Sequence, residues 1–340
     1  MTCRCGLDVH AHVVPHDFPA YLGSKVPSQW PSMAPAQDCH RSVMIAGKLY
    51  RTVADKAWDV ARRIADLPAM GLARQVISPM PELLSYWMEA PDAQQLLRFL
   101  NETIAGMVDE SAGALLGLGA VPLQDLDAAI AELHWIHRSP GLVGVELGSN
   151  INGVPVGHPS LDPFFEACEA LDMPVFVHAL KPAGMDRLVG PAPLQQVLAY
   201  PVDVGLAAAS VITGGLMLRR PRLRIAFSHG GGTLSSLLPR LQQGWQVFAA
   251  LKEEIAVSPA EQARRLYYDT LVFDAPTLRH LVHSFGERQL MLGSDYPFNF
   301  HERRPVERVE QAAFDEAVQA RLVHLNAEAF LGIESGSLPS

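Results

Sequence analysis

Residues 223–232 read Leu-Arg-Ile-Ala-Phe-Ser-His-Gly-Gly-Gly, a mostly apolar run that stops at a histidine and a glycine turn. A segment with helical periodicity, residues 234–248, follows it directly, with leucines three and four positions apart. A buried strand followed by an amphipathic helix is the repeating unit of proteins built around a parallel sheet. The same unit can be traced outward from this stretch in both directions.

Eight short segments, each bounded by turn residues, fit the strands of such a sheet. They are residues 5–10, 74–78, 115–120, 142–147, 174–178, 223–228, 265–269 and 289–293. Helical periodicity fills the intervals at residues 56–70, 93–108, 126–136, 163–171, 204–218, 234–248 and 275–285. Eight strand–helix units predict an α/β fold, specifically a (β/α)₈ TIM barrel, and a length of 340 residues suits one barrel with insertions.

Residues 13–54 interrupt this pattern with a stretch rich in proline, serine and aromatic residues. A structureless loop of that length is unusual inside a compact domain, so we expect a small cap with short strands of its own over the barrel mouth. A second long connection, residues 179–202, follows the fifth strand. We therefore expect one domain over residues 1–332, with 13–54 as the inserted cap and 333–340 as a flexible tail.

Composition excludes several classes of function. Hydrophobic residues make up 49% of the chain and charged residues 19%, which allows a sizeable core and excludes global disorder. The net charge of −9 argues against a nucleic-acid partner. No apolar run approaches the ~20 residues of a membrane span, and the N-terminus lacks the apolar centre of a signal peptide. With only four cysteines, the sequence predicts a cytoplasmic protein without a membrane partner.

Five side chains suited to metal binding or proton transfer stand where predicted strands end. His10 and His12 form a His-x-His pair, and residues two apart in a strand share one face. His178 closes the fifth strand, His229 the sixth and Asp295 the eighth. Each residue alone fits a structural role, as a hydrogen-bonded core histidine or an aspartate in a turn. Because the carboxyl ends of barrel strands ring one cavity, the five together predict a functional site.

This constellation resembles the amidohydrolase superfamily. The strings Phe-Ser-His-Gly-Gly-Gly (227–232) and Leu-Gly-Ser-Asp-Tyr-Pro-Phe (292–298) are more narrowly similar to its aminocarboxymuconate-semialdehyde decarboxylase branch. The likeness covers nearly the whole chain, including Ala-Val-Pro-Leu-Gln-Asp-Leu-Asp at 120–127.

The resemblance implies a site for one divalent metal ion, most often zinc. Its ligands are then His10, His12, His178 and Asp295, with His229 as a general acid/base and Asp295 also counted as catalytic. Three imidazoles and a carboxylate suit zinc and leave a position for water or substrate. Binuclear members of the superfamily usually add a carboxylated lysine after strand four, whereas residues 141–150 contain none, so the site is expected to be mononuclear. Glu146 in that stretch is either an additional carboxylate near the metal or a hydrogen-bonded barrel residue.

Two arginines fall where the decarboxylase branch holds the carboxylates of its substrate. They are Arg51 and Arg240, and a guanidinium binds a carboxylate through two parallel hydrogen bonds. In the family one of these arginines enters from the neighbouring subunit, which implies a homodimer. Surface salt bridges are the alternative role for each. The loops after the second and fifth strands depart from the family pattern, and their open candidates for substrate contact are Glu82, Tyr86, Trp87, Lys181 and Arg187.

The sequence therefore predicts a zinc-dependent, non-oxidative decarboxylase acting on a small aromatic or muconate-type carboxylic acid. The arginine pair, the branch motifs and the missing lysine favour this chemistry. The same site used as a hydrolase of an amide, lactone or ring-cleavage product is the main alternative. A barrel that has lost catalysis and serves as a binding protein is a third, which metal analysis would distinguish.

Overall fold

The computed structural model describes residues 5–23 and 29–333. Its strands are β1 (Gly6–Val13), β2 (Ser32–Pro35), β3 (His40–Ile45), β4 (Lys48–Ala54), β5 (Leu72–Pro79), β6 (Leu115–Ala120), β7 (Leu142–Gly148), β8 (Asn150–Ile151), β9 (Val154–Pro155), β10 (Val175–His178), β11 (Ile225–Phe227), β12 (Tyr267–Asp269) and β13 (Leu290–Met291). Its helices are α1 (Val60–Met70), α2 (Ala90–Glu110), α3 (Leu126–Arg138), α4 (Asp162–Ala170), α5 (Tyr200–Thr213), α6 (Leu216–Arg219), α7 (Leu234–Val247), α8 (Ala249–Glu254), α9 (Pro259–Ala263), α10 (Ala275–Phe285), α11 (Pro305–Gln311), α12 (Glu316–Ala320) and α13 (Asn326–Leu331).

Eight of these strands form one parallel sheet in the order β1-β5-β6-β7-β10-β11-β12-β13. The sheet returns to its first strand where the Val9 N–H donates to the Leu292 carbonyl at 2.9 Å and the His12 N–H donates to the Tyr296 carbonyl at 2.7 Å. Helices lie between consecutive strands along the chain. The predicted (β/α)₈ barrel is confirmed.

Apolar side chains fill the end of the barrel away from the predicted site. A buried cluster takes residues from six of the eight strands and from α13, and partly buried residues from the other two strands, β7 and β12, pack against it. The buried members are Leu7, Val9, Val76, Leu118, Phe176, Ala226, Met291, Ala327, Phe330 and Leu331, and the partly buried ones are Leu116, Val143, Tyr267 and Ile333. Such layered packing leaves the carboxyl ends of the strands free for polar side chains.

The insertion after the first barrel strand contains a three-stranded antiparallel sheet, β2-β3-β4. The β3–β4 hairpin turns at Ala46 and Gly47, which have φ angles of 52° and 70°, as a tight two-residue turn requires. Short strands within the insertion were predicted and are present. Residues 24–28 of the insertion and 334–340 of the predicted tail lie outside the described residues, and the assignment of 1–332 to one domain stays a prediction.

The predicted helix at 204–218 differs from the observed structure at both ends. Helical geometry begins with the π-helical turn Gln195–Ala199 and runs into α5, which ends at Thr213 because Gly215 adopts a φ of 68°. The run Gln195–Thr213 is long and apolar enough to cross a membrane by length and composition alone. Half of that window is buried inside the protein, as expected for a helix in a barrel wall.

Candidate metal centre

Four ligand-type side chains converge at the carboxyl end of the barrel. His10 and His12 lie on β1, His178 is the last residue of β10, and Asp295 follows β13. Each residue offers one ligand atom, and these four atoms all lie within 4.8 Å of one another. The Nε2 atom of His12 is 3.1 Å from the Nε2 atom of His10 and 3.2 Å from the Oδ1 atom of Asp295. The structure thus brings together the four residues that the sequence predicts as ligands.

The three histidines present their Nε2 atoms to this point because their Nδ1 atoms are already engaged. Each Nδ1 lies against an oxygen that accepts hydrogen bonds. The pairs are His10 Nδ1 with Asp269 Oδ2 at 2.7 Å, His12 Nδ1 with the Pro79 carbonyl at 3.0 Å, and His178 Nδ1 with the Ala179 carbonyl at 2.9 Å. The proton therefore belongs on Nδ1 and the lone pair on Nε2, which is the arrangement that second hydrogen bonds impose on metal-binding histidines.

The arrangement fits a single divalent metal ion. The Nε2 atom of His178 is buried and has no hydrogen-bond partner among the described residues. The Nε2 atoms of His10 and His12 face each other at 3.1 Å, where two lone pairs need a positive group between them. Three imidazoles and one carboxylate are a common ligand set for zinc and related metals.

The electrostatics of the site favour a positive charge at the same point. Burial lowers the pKa of His10, but its hydrogen bond to Asp269 and the charge of Asp295 outweigh burial and raise the pKa to about 9. Burial raises the pKa of Asp295, whereas the hydrogen bond with His12 and the charge of His10 lower it overall, so this carboxylate is ionised near neutral pH. The two aspartates therefore stabilise a cation between the histidines.

His229 stands beside the four ligands on a short 3₁₀ turn, His229–Gly231, directly after β11. Its ring centroid lies 4.9 Å from that of His178 and 5.4 Å from that of His10. Its Nδ1 atom is 3.0 Å from the Ser228 hydroxyl. Burial, followed by the charge of His10, lowers the pKa of His229 to about 4. Near pH 7 this imidazole is neutral and able to accept a proton.

The glycine run after His229 is required by the turn. His229 itself has a φ of 54°, and Gly230, Gly231 and Gly232 also have positive φ angles. A Cβ atom on Gly232 would lie 1.9 Å from the Pro201 carbonyl oxygen. Only glycine fits this close approach of two backbones, which explains the string that marks this part of the sequence.

Asp269 is a site residue that the sequence reasoning missed. It is the last residue of β12, and besides His10 it accepts hydrogen bonds from the backbone N–H groups of His229 at 3.0 Å, Gly230 at 2.7 Å and Leu271 at 3.0 Å. Burial raises its pKa, but the hydrogen bond and charge of His10 lower it overall. One carboxylate thus orients both a candidate metal ligand, His10, and the turn that carries His229. Its position at the end of the predicted strand 265–269 was the available signal.

A buried polar network behind the ligands was also missed. Asp8 accepts hydrogen bonds from the Ser294 hydroxyl at 2.5 Å and from the Gln75 amide at 2.8 Å. Arg63, which is fully buried, donates to the Gln75 side chain and to the His12 carbonyl, both at 2.6 Å. Burial raises the pKa of Asp8 to about 6 despite these hydrogen bonds. The network ties the strand that carries two ligands to α1 and to the loop after β13.

A pocket opens beside the ligands, and Arg51 on β4 lines it together with Glu82, His178, His229 and Asp295. The Arg51 guanidinium lies 4.0 Å from the Phe298 ring centroid. The inserted sheet therefore delivers a cation to the predicted site.

Most of the remaining candidates lie outside the described lining of this pocket. Arg240 is exposed on α7 and does not line this pocket. Glu146 is fully buried, with Oε1 3.9 Å from His12 Nδ1, and stands outside the group of four ligand atoms. Burial raises its pKa well above the usual range. Of the five open candidates for substrate contact, Glu82 lines the pocket. The other four lie outside its described lining, and they are Tyr86, Trp87, Lys181 and Arg187.

Comparison with known proteins gives consistent matches. A family model described as amidohydrolase matches residues 7–333. The chain is 34% identical to a 2-amino-3-carboxymuconate-6-semialdehyde decarboxylase of Dictyostelium discoideum over 330 residues, which are 96% of this chain and 92% of that protein.

Two solved structures illustrate the similarity of fold. The apo form of IDCase from Metarhizium anisopliae has a TM-score of 0.82 at 21% identity, covering 97% of this chain and 98% of that chain. A dihydroxybenzoic acid decarboxylase from a Polaromonas species was solved with bound manganese and the inhibitor 2-nitroresorcinol. It has a TM-score of 0.74 at 18% identity, and the match covers 96% of this chain and 97% of that chain. At these identities the two structures support the barrel fold.

Proposed function

Because the chain belongs to the amidohydrolase family, we propose that it is a zinc-dependent, non-oxidative decarboxylase of a small aromatic or muconate-type carboxylic acid. The observation that carries the proposal is one pocket whose lining combines Arg51 and His229 with two of the four ligand-type side chains, His178 and Asp295. The named relative is a decarboxylase, in agreement with the carboxy-lyase activity predicted from the sequence. We place the protein in the cytoplasm, with a small-molecule carboxylate as its partner.

The residues of the pocket divide the reaction between them. His10, His12, His178 and Asp295 would hold the ion, which when bound supplies a Lewis acid that polarises an oxygen of the substrate. Arg51 binds a carboxylate of the substrate, and Phe298 packs against its guanidinium. When the bond to CO₂ breaks, its electron pair stays on the substrate carbon. His229 takes up a proton from water and delivers it to that carbon, where it takes the place of the released CO₂.

Product analysis on the zinc-loaded protein tests this function. A panel of hydroxybenzoates, aminobenzoates and carboxymuconates is expected to contain at least one compound that releases CO₂, and the product mass falls accordingly. Hydrolysis would instead add water to the substrate. Absence of CO₂ release across the panel, together with turnover of an amide or lactone, would overturn the decarboxylase proposal. Parallel assays of zinc-loaded and manganese-loaded protein test the choice of metal.

Replacing Arg51 with alanine is expected to weaken substrate binding. A hydrogen bond to a charged group contributes about 1.5–3 kcal/mol, so KM should rise roughly 10- to 150-fold while metal content stays constant. Arg51→Lys keeps the charge without the two parallel hydrogen bonds and should give an intermediate value. Arg138→Ala, at an exposed arginine of α3 outside the described lining of the pocket, is the matched control. An unchanged KM in Arg51→Ala would remove this residue from the site.

The surface formed by α5 and α7 supports the proposed homodimer. Large apolar side chains are exposed at two places on this surface. Those in residues 195–213 are Val197, Leu198, Val202 and Leu206, and those on or directly after α7 are Leu237, Val247 and Phe248. Arg240 is exposed on the same helix α7. A second copy covering this face would bury these side chains and carry Arg240 towards the pocket of the other copy.

Mixed dimers test whether Arg240 acts across the interface. Arg240→Ala and His229→Asn homodimers should each be nearly inactive, whereas mixing and reassociating them should restore about a quarter of the wild-type activity, because half the dimers are mixed and one of their two sites is intact. If Arg240 serves its own chain, the mixture stays inactive. Sedimentation equilibrium measures the oligomeric state, and a monomer at assay concentration would contradict the homodimer.

A further inference from the structure

Glu82 contributes a carboxylate to the same pocket as Arg51. It lies on the short 3₁₀ turn Pro81–Leu83 after β5, and it lines the pocket together with His178 and His229. The proposed reaction assigns the substrate carboxylate to Arg51 and the proton to His229. It leaves Glu82 without a role.

Two phenols hold one oxygen of Glu82. The Oε1 atom accepts a hydrogen bond from the Tyr50 hydroxyl and another, at 2.6 Å, from the Tyr200 hydroxyl. Tyr50 comes from β4 of the inserted sheet, and Tyr200 is the first residue of α5. Burial, followed by the negative charge of Glu82, raises the pKa of both phenols, so they stay protonated and continue to donate. Hydrogen bonds from two separate elements fix the orientation of the carboxylate.

The second oxygen of Glu82 has no such partner. Its Oε2 atom is buried and accepts no hydrogen bond from the described residues. Arg51 lines the same pocket but donates no hydrogen bond to this oxygen. A buried carboxylate oxygen without a donor is costly and rare in folded proteins. A donor supplied by a ligand would remove this cost.

The supporting phenol places this carboxylate next to the reacting centre. The ring centroid of Tyr200 lies 5.9 Å from that of His178 and 6.4 Å from that of His229. Arg51 lies beside the other phenol, with its guanidinium carbon 5.8 Å from the Tyr50 ring centroid. The pocket therefore offers a cation and an acceptor-only carboxylate close together.

We propose that Glu82 Oε2 accepts a hydrogen bond from an amino or hydroxyl group of the substrate, and so selects carboxylic acids that carry such a donor near the reacting carboxylate. This inference rests on the proposed decarboxylase function for the nature of the substrate. Arg51 binds the carboxylate and Glu82 binds the donor, so the two residues fix the orientation of the ring. A methyl group in place of the donor would fill the same space and leave Oε2 unpaired, which is how buried polar groups reject such analogues.

Binding of matched benzoates to the zinc-loaded protein tests the proposal without requiring turnover. Calorimetry compares 2-aminobenzoate with 2-methylbenzoate and 3-aminobenzoate with 3-methylbenzoate, in which the substituents are of similar size. In wild type at least one amino compound should bind about tenfold or more tightly than its methyl partner. In Glu82→Gln the amide oxygen can keep both phenol hydrogen bonds, and an NH₂ group replaces the acceptor. The preference should then fall to about one.

Controls separate this role from folding and from the reaction itself. Glu110→Gln, at an exposed position of α2, should keep the wild-type preference. Glu82→Met removes both acceptor oxygens at similar length and should behave like Glu82→Gln, while retained binding of the methylbenzoates shows an intact pocket. The proposal is overturned by a wild type without preference, by failure of both amino compounds to bind, or by a preference that persists in a folded Glu82 variant.

A structural readout keeps the test independent of the variants. In a crystal structure of the zinc-loaded wild type with 2-aminobenzoate or 3-aminobenzoate, whichever binds more tightly, the nitrogen should lie within hydrogen-bond distance of Glu82 Oε2, and a nitrogen placed elsewhere overturns the inference. Failure of the proposed function looks different. In that case the preference at Glu82 stays intact while no compound of the panel releases CO₂.

Discussion

A His229→Asn variant is expected to keep its metal ion and to lose two to four orders of magnitude in kcat. The pKa of His229 is lowered to about 4 by burial and the charge of His10, so the side chain is a neutral imidazole available for proton transfer. Removing a general acid/base typically lowers the rate ~10²- to 10⁴-fold. The hydrogen bond from His229 to Asp269 comes from the backbone N–H and does not need the ring, whose Nδ1 atom lies 3.0 Å from the Ser228 hydroxyl.

Asparagine is the suitable replacement because the backbone of His229 has a φ of 54°. Asparagine tolerates this left-handed conformation better than alanine does, so the turn and its bond to Asp269 should persist. Metal content after dialysis and kcat on the best substrate are the two measurements. His134→Asn, at an exposed position of α3, is the control. Loss of metal equal to that of a ligand variant would show that His229 binds the ion and would contradict its assignment as acid/base.

The barrel could be predicted from the sequence because its signal is repeated eight times. Every predicted strand overlaps an observed barrel strand, yet the first one was given too short. It was predicted to end at residue 10, whereas β1 runs to Val13 and includes His12. All eight residues of β1 are buried, so its polar histidines do not mark a surface face as they would in a half-exposed strand. Polar side chains inside a barrel therefore make the carboxyl end of a strand hard to predict from the sequence, and this is the end that carries the candidate site.

The candidate site could be predicted where functional residues stand at strand ends. His178 and Asp295 follow that rule, and Asp269 obeys it as well, although its hydrogen bonds to His10 and His229 are a tertiary property. The Glu82 cluster could not have been found in this way. Tyr50 and Tyr200 come from segments 150 positions apart along the chain, and only the folded structure directs both hydroxyls to one oxygen. Arg240 remains a prediction because its proposed pocket belongs to a second copy.

His178→Ala is expected to release the metal ion and abolish turnover. The Nε2 atom of His178 is buried and has no hydrogen-bond partner among the described residues, so removing it takes away one of the four proposed ligands. Asp269→Asn offers a graded comparison. It leaves the four proposed ligands in place and disturbs the hydrogen bonds through which Asp269 orients His10 and the turn that carries His229, a type of change that typically lowers metal affinity roughly 10- to 100-fold.

The order of the two effects distinguishes a ligand from the residue that orients one. Titration with a competing chelator measures both dissociation constants, and circular dichroism checks that each variant is folded. We expect the metal affinity of His178→Ala to be well below that of Asp269→Asn. The metal affinity of His134→Ala should equal that of the wild type. Full metal affinity in His178→Ala would remove this residue from the ligand set. A larger loss in Asp269→Asn than in His178→Ala would instead place the Asp269 carboxylate on the ion, with His10 turned away from it.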